Sequence, residues 1–243
     1  MTFQPVVRRS VPEDVYDQIV DRVVGGELPA GEALPSERDL AAALGVSRPA
    51  VREALKRLDA VGFIRVKQGG TTTVRDIRRD GGLDLLPMLL VHNGELDVAV
   101  ARSIVEARAH IAPIVAELAA QRSSSDTISA LRQLTEAVAA ESDSLELQRI
   151  ALHFWDIVVD GAESIAYRLM FNTMRAAYEP ALPALSFAMA GEVGKVDGYT
   201  ALVDAIAAHD APLARRAADN LLSPSTSALF SALDALDTTG IDS

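Results

Sequence analysis

A mainly α fold is predicted here: three short helices and a two-stranded β wing, joined to an all-α helical bundle. Three observations carry it. Capped amphipathic segments with apolar residues at helical spacing occupy most of the chain. The spacing switches to period 2 only around residues 63–75. Charge divides the same way, with 13 Lys/Arg against 11 Asp/Glu in residues 1–79 but 10 against 23 in residues 80–243. The net charge of −11 thus hides a basic island, since residues 38–79 alone hold 10 basic and 4 acidic side chains. Such asymmetry is expected when one part of a chain meets a polyanion and the other does not.

The 243 residues, 49% of them hydrophobic, suffice for two domains with separate cores. The reading is a flexible N-terminus over 1–10, a first domain over 11–76, a linker over 77–82, a bundle over 83–236 and a disordered tail over 237–243. The absence of cysteine removes disulfides, thiolate chemistry and Cys-type zinc sites. There is no run of about 20 apolar residues, the length that crosses a bilayer. The opening MTFQPVVRRSVPED lacks the apolar core of a secretory signal. A cytoplasmic protein with no membrane partner is expected.

Ser10-Val11-Pro12-Glu13 has capping-box form and opens the first helix, whose apolar stripe is Val15, Ile19 and Val23. Gly25-Gly26 ends it. Ser36 opens a second helix with Asp39 as capping partner; Leu40 and Leu44 form its inner side and Gly45 its end. Ser47 then caps a third helix with Val51, Leu55 and Leu58 inward. Two short helices joined by so brief a glycine-containing turn are a helix-turn-helix signature. Arg48, Arg52 and Lys56, four apart, share another face of the third helix. On an isolated helix that row would be an ordinary solvated face. At the start of the second helix of this motif it lies where base edges and phosphates are met, and the arginine fork matches guanine O6 and N7. Phe63-Ile64-Arg65-Val66-Lys67 and Thr71-Thr72-Thr73-Val74-Arg75 read as two strands, turned by Gln68-Gly69-Gly70. Their basic residues, Arg65 and Lys67, flank a glycine tip that can approach DNA closely.

Taken together, Gly31-Glu32-Ala33-Leu34-Pro35-Ser36-Glu37-Arg38-Asp39-Leu40, Leu44-Gly45-Val46-Ser47-Arg48, Val51-Arg52-Glu53-Ala54-Leu55, Leu58, Gly62-Phe63-Ile64 and Gly69-Gly70 carry a resemblance. Residues 11–76 closely resemble the winged helix-turn-helix of the GntR superfamily of transcriptional regulators. The resemblance implies that Arg38, Arg48 and Arg52 carry much of the DNA contact. It also implies that Ser47 caps the recognition helix against a phosphate and that Gly69 enters the minor groove. Pro49-Ala50 stands where some relatives carry hydroxyl side chains, and Gln68 where others carry histidine, so the operator sequence does not transfer.

Beyond residue 82 the pattern is helical almost throughout. Leu96, Val100, Ile104, Ala107, Ile111, Val115 and Leu118 mark one long helix over about 95–122. Further helices are expected near 126–141, 145–160, 163–178, 181–191, 197–208, 211–222 and 225–236, with no strand. Val105-Glu106-Ala107-Arg108, Pro113, Leu118-Ala119-Ala120, Ala205-Ile206, Asp210 and Ala214 resemble the FadR subfamily. Its C-terminal domain is a helical bundle that binds an effector and dimerises. The resemblance implies a homodimer on an inverted-repeat operator in double-stranded DNA. Most members hold a metal in the bundle. Here Ala151, Trp155 and Tyr199 fall at ligand positions, and Asn220-Leu221 near the remaining one, so neither metal nor cofactor is expected. His153 with Asp156 and Asp160 shares a helical face and offers at most a weak metal site.

Loss of the metal points to the branch that binds fatty acyl-CoA, whose linker helix Leu83-Asp84-Leu85-Leu86 and Leu89-Leu90 resembles. Arg108 stands where that branch has its effector-contacting arginine. Two readings of Arg108 stay open: an anion receptor, or an ion pair with an acid such as Glu106 or Asp204. The effector-contacting set is therefore Arg108, His153, Trp155 and Tyr199, and Trp155, Tyr167, Phe171 and Tyr178 are candidate pocket walls. The expected function is a repressor controlled by a metabolite, long-chain acyl-CoA first and a small organic acid second. An architectural DNA-binding protein without effector is the alternative of another class. An enzyme is not expected, since no Ser-His-Asp set, phosphate loop or metal cluster is present.

Overall fold

The computed structural model describes residues 10–67, 70–92 and 94–239. It divides into two compact units, one ending at Glu95 and the other beginning at Leu96. In the first unit, α1 (Val11–Val24) buries Val15, Tyr16, Ile19, Val20 and Val23. Ser10 holds its N-cap position, but its side chain makes no capping hydrogen bond, so the expected Ser10 cap does not form. α2 (Glu37–Leu44) starts where Ser36 Oγ accepts from the Asp39 amide at 3.3 Å. It buries Ala41, while Leu40 and Leu44 are half-buried against the same core.

Gly45 closes α2 at φ +67°, where its amide donates to the Ala41 carbonyl. An added Cβ there meets open space, so a side chain would cost backbone strain alone. Gly45→Ala is accordingly expected to lower the stability of this unit by about 1 kcal/mol. Urea unfolding followed by circular dichroism measures it, and an unchanged midpoint would contradict the left-handed turn.

α3 (Arg48–Ala60) follows at once, capped by Ser47 Oγ accepting from the Ala50 amide at 3.4 Å. Val51, Ala54, Leu55 and Leu58 are buried. Gly62 at φ +86° turns the chain into β1 (Ile64–Arg65), which pairs antiparallel with β2 (Thr73–Val74), Ile64 opposite Val74 and Arg65 opposite Thr73. Within β1 Ile64 is buried and Arg65 exposed, as expected of a one-sided strand, and Phe63 just before it is also buried. The segment before α2 lies on the far side of β2. There Gly31 N donates to Val74 O at 2.9 Å, Val74 N to Glu32 O at 2.8 Å and Leu34 N to Thr72 O at 2.8 Å. Asp59, at the end of α3, accepts from the Val66 amide at 2.9 Å and ties the wing to that helix.

A one-turn α4 (Ile77–Asp80) and a 3₁₀ turn over Leu83–Leu85 lead to α5 (Leu86–Leu90) and the short pair β3 (Val91–His92) and β4 (Glu95–Leu96). Residues 83–90 were expected to open the bundle. Instead Leu85 is buried in the first unit's core, Met88 and Leu89 pack beside it, and Tyr16 Oη donates to Met88 Sδ at 3.4 Å. The strand pair is likewise a departure from the strand-free expectation. Two residues per strand leave too short an alternation to be read.

The second unit is helical: α6 (Val98–Arg122), α7 (Ser125–Ala140), α8 (Ser144–Gly161), α9 (Ile165–Tyr178), a 3₁₀ turn over Glu179–Ala181, α10 (Leu182–Val193), α11 (Val196–Ala207) and α12 (Ala211–Thr239). α6 is central and packs along α12, α8 and α11. Of the expected stripe Val115 alone is buried; the other innermost residues are Ala101, Val105, Pro113, Ala116, Ala119 and Ala120. Small side chains let neighbouring helices come close, and Ile104 and Ile111 instead line a cavity. The two helices expected over 211–222 and 225–236 are one, with Pro224 inside it. Packing along α6 holds the helix through the position where proline removes a backbone donor. Phe154 anchors the core edge-on to Tyr199 at 4.9 Å and to Trp155 at 6.2 Å.

Candidate nucleic-acid interface and effector cavity

The first turn of α3 positions the basic face. Pro49 sits in that turn, where a missing amide donor costs nothing, and its fixed φ favours the helix start. Arg48, Arg52 and Lys56 are all exposed, one turn apart. Arg52 does not float free. Its Nε and Nη2 reach the Glu37 carboxylate on α2 at 3.1 and 2.8 Å, a two-point clasp between the two helices of the motif. These hydrogen bonds hold the Glu37 carboxyl below the usual carboxylate range, against an opposing effect of burial. The charges of Arg52, Arg48 and Lys56 lower it further. Arg38, 79% exposed, touches Asp39 at 3.4 Å. Arg65 and Lys67 are exposed on the wing, and Gly70 N donates to Lys67 O at 2.9 Å across the turn. Gln68 and Gly69 lie outside the described residues.

The bundle contains a cavity of about 130 Å³ between α6, α8, α9 and α10. Its wall is largely apolar: Ile104, Ile111, Val115, Leu152, Val159 and three of the chain's five methionines, Met170, Met174 and Met189. Trp155, Tyr167, Phe171 and Tyr178 all line it, as the aromatic pattern suggested. The polar end is a network. Arg108 Nη2 donates to both Glu192 carboxylate oxygens at 2.5 and 2.6 Å, and the Ser225 hydroxyl donates to the same carboxylate. Tyr178 Oη donates at 2.9 Å to Gln148, whose amide donates to the Leu182 carbonyl at 2.9 Å and Ser186 Oγ at 3.0 Å. Burial opposes the Arg108 charge, and the Glu192 carboxylate more than offsets it, so the guanidinium pKa is raised.

Arg108 therefore has an ion-pair partner, but it is Glu192, which is 84 positions away, and neither Glu106 nor Asp204. Of the expected effector contacts, Arg108 and Trp155 share the cavity. His153 is exposed, because it lies two residues, about 200° around α8, from Ala151 on the cavity wall. Asp156 and Asp160, its neighbours on that face, are held by Arg168 at 2.6 and 2.5 Å. Tyr199 is fully buried in the core and is not part of the lining. Burial, then the Glu192 charge, pushes its phenol pKa well up and keeps it neutral.

Gln148, Glu192 and Ser225 were not singled out from sequence. Their partners sit on other helices, so no local spacing marks them. The α9 wall had a signal: Tyr167, Met170, Phe171, Met174 and Tyr178 recur at helical spacing on one face. The positions at which the resemblance places metal ligands hold Ala151, Trp155 and Tyr199. A methyl group, an indole that only donates and a phenol held neutral do not fit a divalent cation. Among the described residues no group of three or more His, Asp or Glu could hold a metal ion.

Residues 12–74 match the family described as "Bacterial regulatory proteins, gntR family", and residues 103–223 match the FCD domain. The chain belongs to the GntR family, in the FadR subfamily that carries an FCD domain. It is 54% identical over 233 residues to the HTH-type transcriptional regulator Mce2R of Mycobacterium tuberculosis (strain CDC 1551 / Oshkosh), covering 96% of this chain and 97% of that protein. A "Fatty acid metabolism regulator protein" of Vibrio cholerae is 32% identical over 96 residues, 40% of this chain and 34% of that one. A GntR family transcriptional regulator from Pseudomonas syringae pv. tomato has the same fold at TM-score 0.50 and 20% identity, over 95% of this chain and 89% of that one. The protein is thus a helix-turn-helix transcriptional regulator and not an enzyme. Regulators of this family bind operator DNA and take effectors through the FCD domain. No described helix is long and apolar enough to cross a membrane.

Proposed function

We propose that this GntR regulator is a homodimeric repressor that reads an inverted-repeat operator and is controlled by an apolar metabolite of the fatty-acid type. Arg38, Ser47, Arg48, Pro49, Arg52 and Lys56 present the helix-turn-helix to the major groove. Arg65, Lys67, Gln68 and Gly69 carry the wing. The observation that supports the effector class is the cavity wall of aliphatic, methionine and aromatic side chains, with Arg108 and Trp155 as its effector contacts. Its volume is close to the ~150 Å³ of an engineered cavity that admits benzene. The end of an acyl chain fits directly. By linkage, the effector releases DNA only as far as its affinity differs between the DNA-bound and free arrangements.

Fluorescence anisotropy with the gene's own upstream DNA tests the reading. Specific DNA is expected to bind about 10³-fold or more tighter than random DNA at physiological salt. Long-chain acyl-CoA is expected to weaken that binding, and lactate, pyruvate and uronates to leave it unchanged. Equal affinity for specific and random DNA would make the protein architectural. A response to the small acids alone would replace the effector class.

A further inference from the structure

The second unit is acidic, since residues 80–243 hold 10 Lys/Arg against 23 Asp/Glu. Its charges are not spread evenly. The two longest runs of the chain without Asp, Glu, Lys or Arg are 180–191 and 220–233. The first covers α10 and the turn before it, the second lies within α12, and the fold packs these two helices together. Gly191 permits the approach, because a Cβ added there would lie 3.2 Å from Pro224 Cβ. Beside it the Ser225 hydroxyl donates to Glu192, the one charged residue of α10, which is buried.

The outward residues of both helices are exposed and uncharged. On α10 they are Ala184, Phe187, Ala190 and Gly191, three and four positions apart and so on one face. On α12 Ser223, Pro224 and Ser227 continue the run. Phe187 is 94% exposed, more than any other large apolar side chain among the described residues. A helix at the surface of a soluble domain ordinarily turns polar side chains to water, and α10 turns none. A charge-free patch with a central aromatic has the makeup of the core of a protein interface. The small neighbours of Phe187 leave room for another helix to come close.

Charge decides what covers this face. A basic partner would be drawn to the surrounding acids and would gain nothing here. DNA or an anionic lipid surface would be repelled by those acids. A second copy carries the same net charge of −11 and is held off wherever acid meets acid. It can approach through a face that is uncharged on both sides, and a two-fold contact supplies one because the same patch meets itself. α9 also exposes Ile165 and Leu169, but that helix carries Arg168 and Arg175, paired with Asp156, Asp160 and Glu179.

We infer that the α10–α12 face, centred on Phe187, is where two copies of this chain meet. The inference rests on the reading of the protein as a homodimer and names the surface that makes it one. Met189 and Glu192, on the inner side of α10, line the cavity, so the second copy docks on a helix that also walls the proposed effector site.

Sedimentation equilibrium of the full chain at low micromolar concentration tests it, with wild type expected as a dimer. Phe187→Glu sets a carboxylate in the patch of both copies and is expected to raise the dimer dissociation constant by about 100-fold or more. Ser227→Glu, on the other helix of the face, is expected to raise it by about tenfold or more. Both positions are exposed, so circular dichroism should remain that of wild type. Ile165→Glu, on the charged helix α9, is expected to leave the dimer intact. A folded Phe187→Glu protein as dimeric as wild type would overturn the inference and leave the homodimer standing. Dissociation by Ile165→Glu alone would also overturn it, by moving the contact to α9. A monomeric wild-type protein would overturn the inference and the homodimer together.

Discussion

Arg52→Ala is expected to reduce affinity for the operator by about 10- to 100-fold, the loss of one well-placed bidentate base contact, while the protein stays folded. Arg52 stands one turn into α3 on its exposed side, and none of the buried core depends on it. Its guanidinium is already oriented by the two-point contact with Glu37. That contact limits its rotamers before DNA arrives, so less freedom is lost on binding. Arg48→Ala removes a charge from the first residue of α3 and is expected to have a similar effect. Glu37→Gln separates orientation from charge. It removes a negative group beside three basic ones, so affinity for random DNA should rise while preference for the operator falls. Footprinting and anisotropy on operator and scrambled DNA give both quantities. Wild-type footprints from Arg48→Ala and Arg52→Ala would remove α3 from the DNA interface.

Glu192→Ala is expected to destabilise the bundle by about 3–5 kcal/mol, the cost of leaving one member of a buried ion pair without its partner. Glu192 is 1% exposed and Arg108 22% exposed on its side chain, so little water reaches either. The variant strands a guanidinium in an apolar cavity and also removes the acceptor of the Ser225 hydroxyl. The double variant Arg108→Met with Glu192→Leu should recover most of that loss, because apolar groups of similar volume avoid the desolvation cost altogether. Urea unfolding followed by Trp155 emission measures both proteins. A single variant within about 1 kcal/mol of wild type would mean that water reaches the pair freely.

The contrast between these two sites explains how far each was legible. The helix-turn-helix is built from short-range relations. Ser36 and Ser47 cap the helices they precede, Gly45 supplies the one left-handed residue between them, and Val51, Leu55 and Leu58 repeat at one face. Each is settled within a few residues, so the element order, the turn and the exposed Arg48, Arg52 and Lys56 follow from local spacing alone. The wing is nearly as local. Yet its attachment through Asp59 to Val66, and its third layer from Gly31 to Leu34, needed the folded chain.

The bundle gave up less. Periodicity marked its helices and the face of α9 that lines the cavity, but not which faces meet. Arg108 could be read as needing an anion, and the choice of Glu192 came from the packing of α6 and α10 against the same two helices, α8 and α12. Ser223-Pro224 reads as a break, and only the support of α6 along α12 carries the helix through it. Leu83 to Leu90 is expected at the start of the bundle, where the resemblance puts a linker helix. It joins the first unit because Tyr16 and the apolar face of α1 give Leu85 and Met88 something to cover.

By itself, then, the sequence determined the helices of the first unit, the wing, the exposed basic face of α3 and the residue types at the metal-ligand positions, all of which are properties of residue type and near spacing. Tertiary structure alone decided how the charges in the bundle's cavity are paired. Burial makes an unpaired ion too costly, and which acid answers Arg108 depends on helices brought together from 84 positions apart.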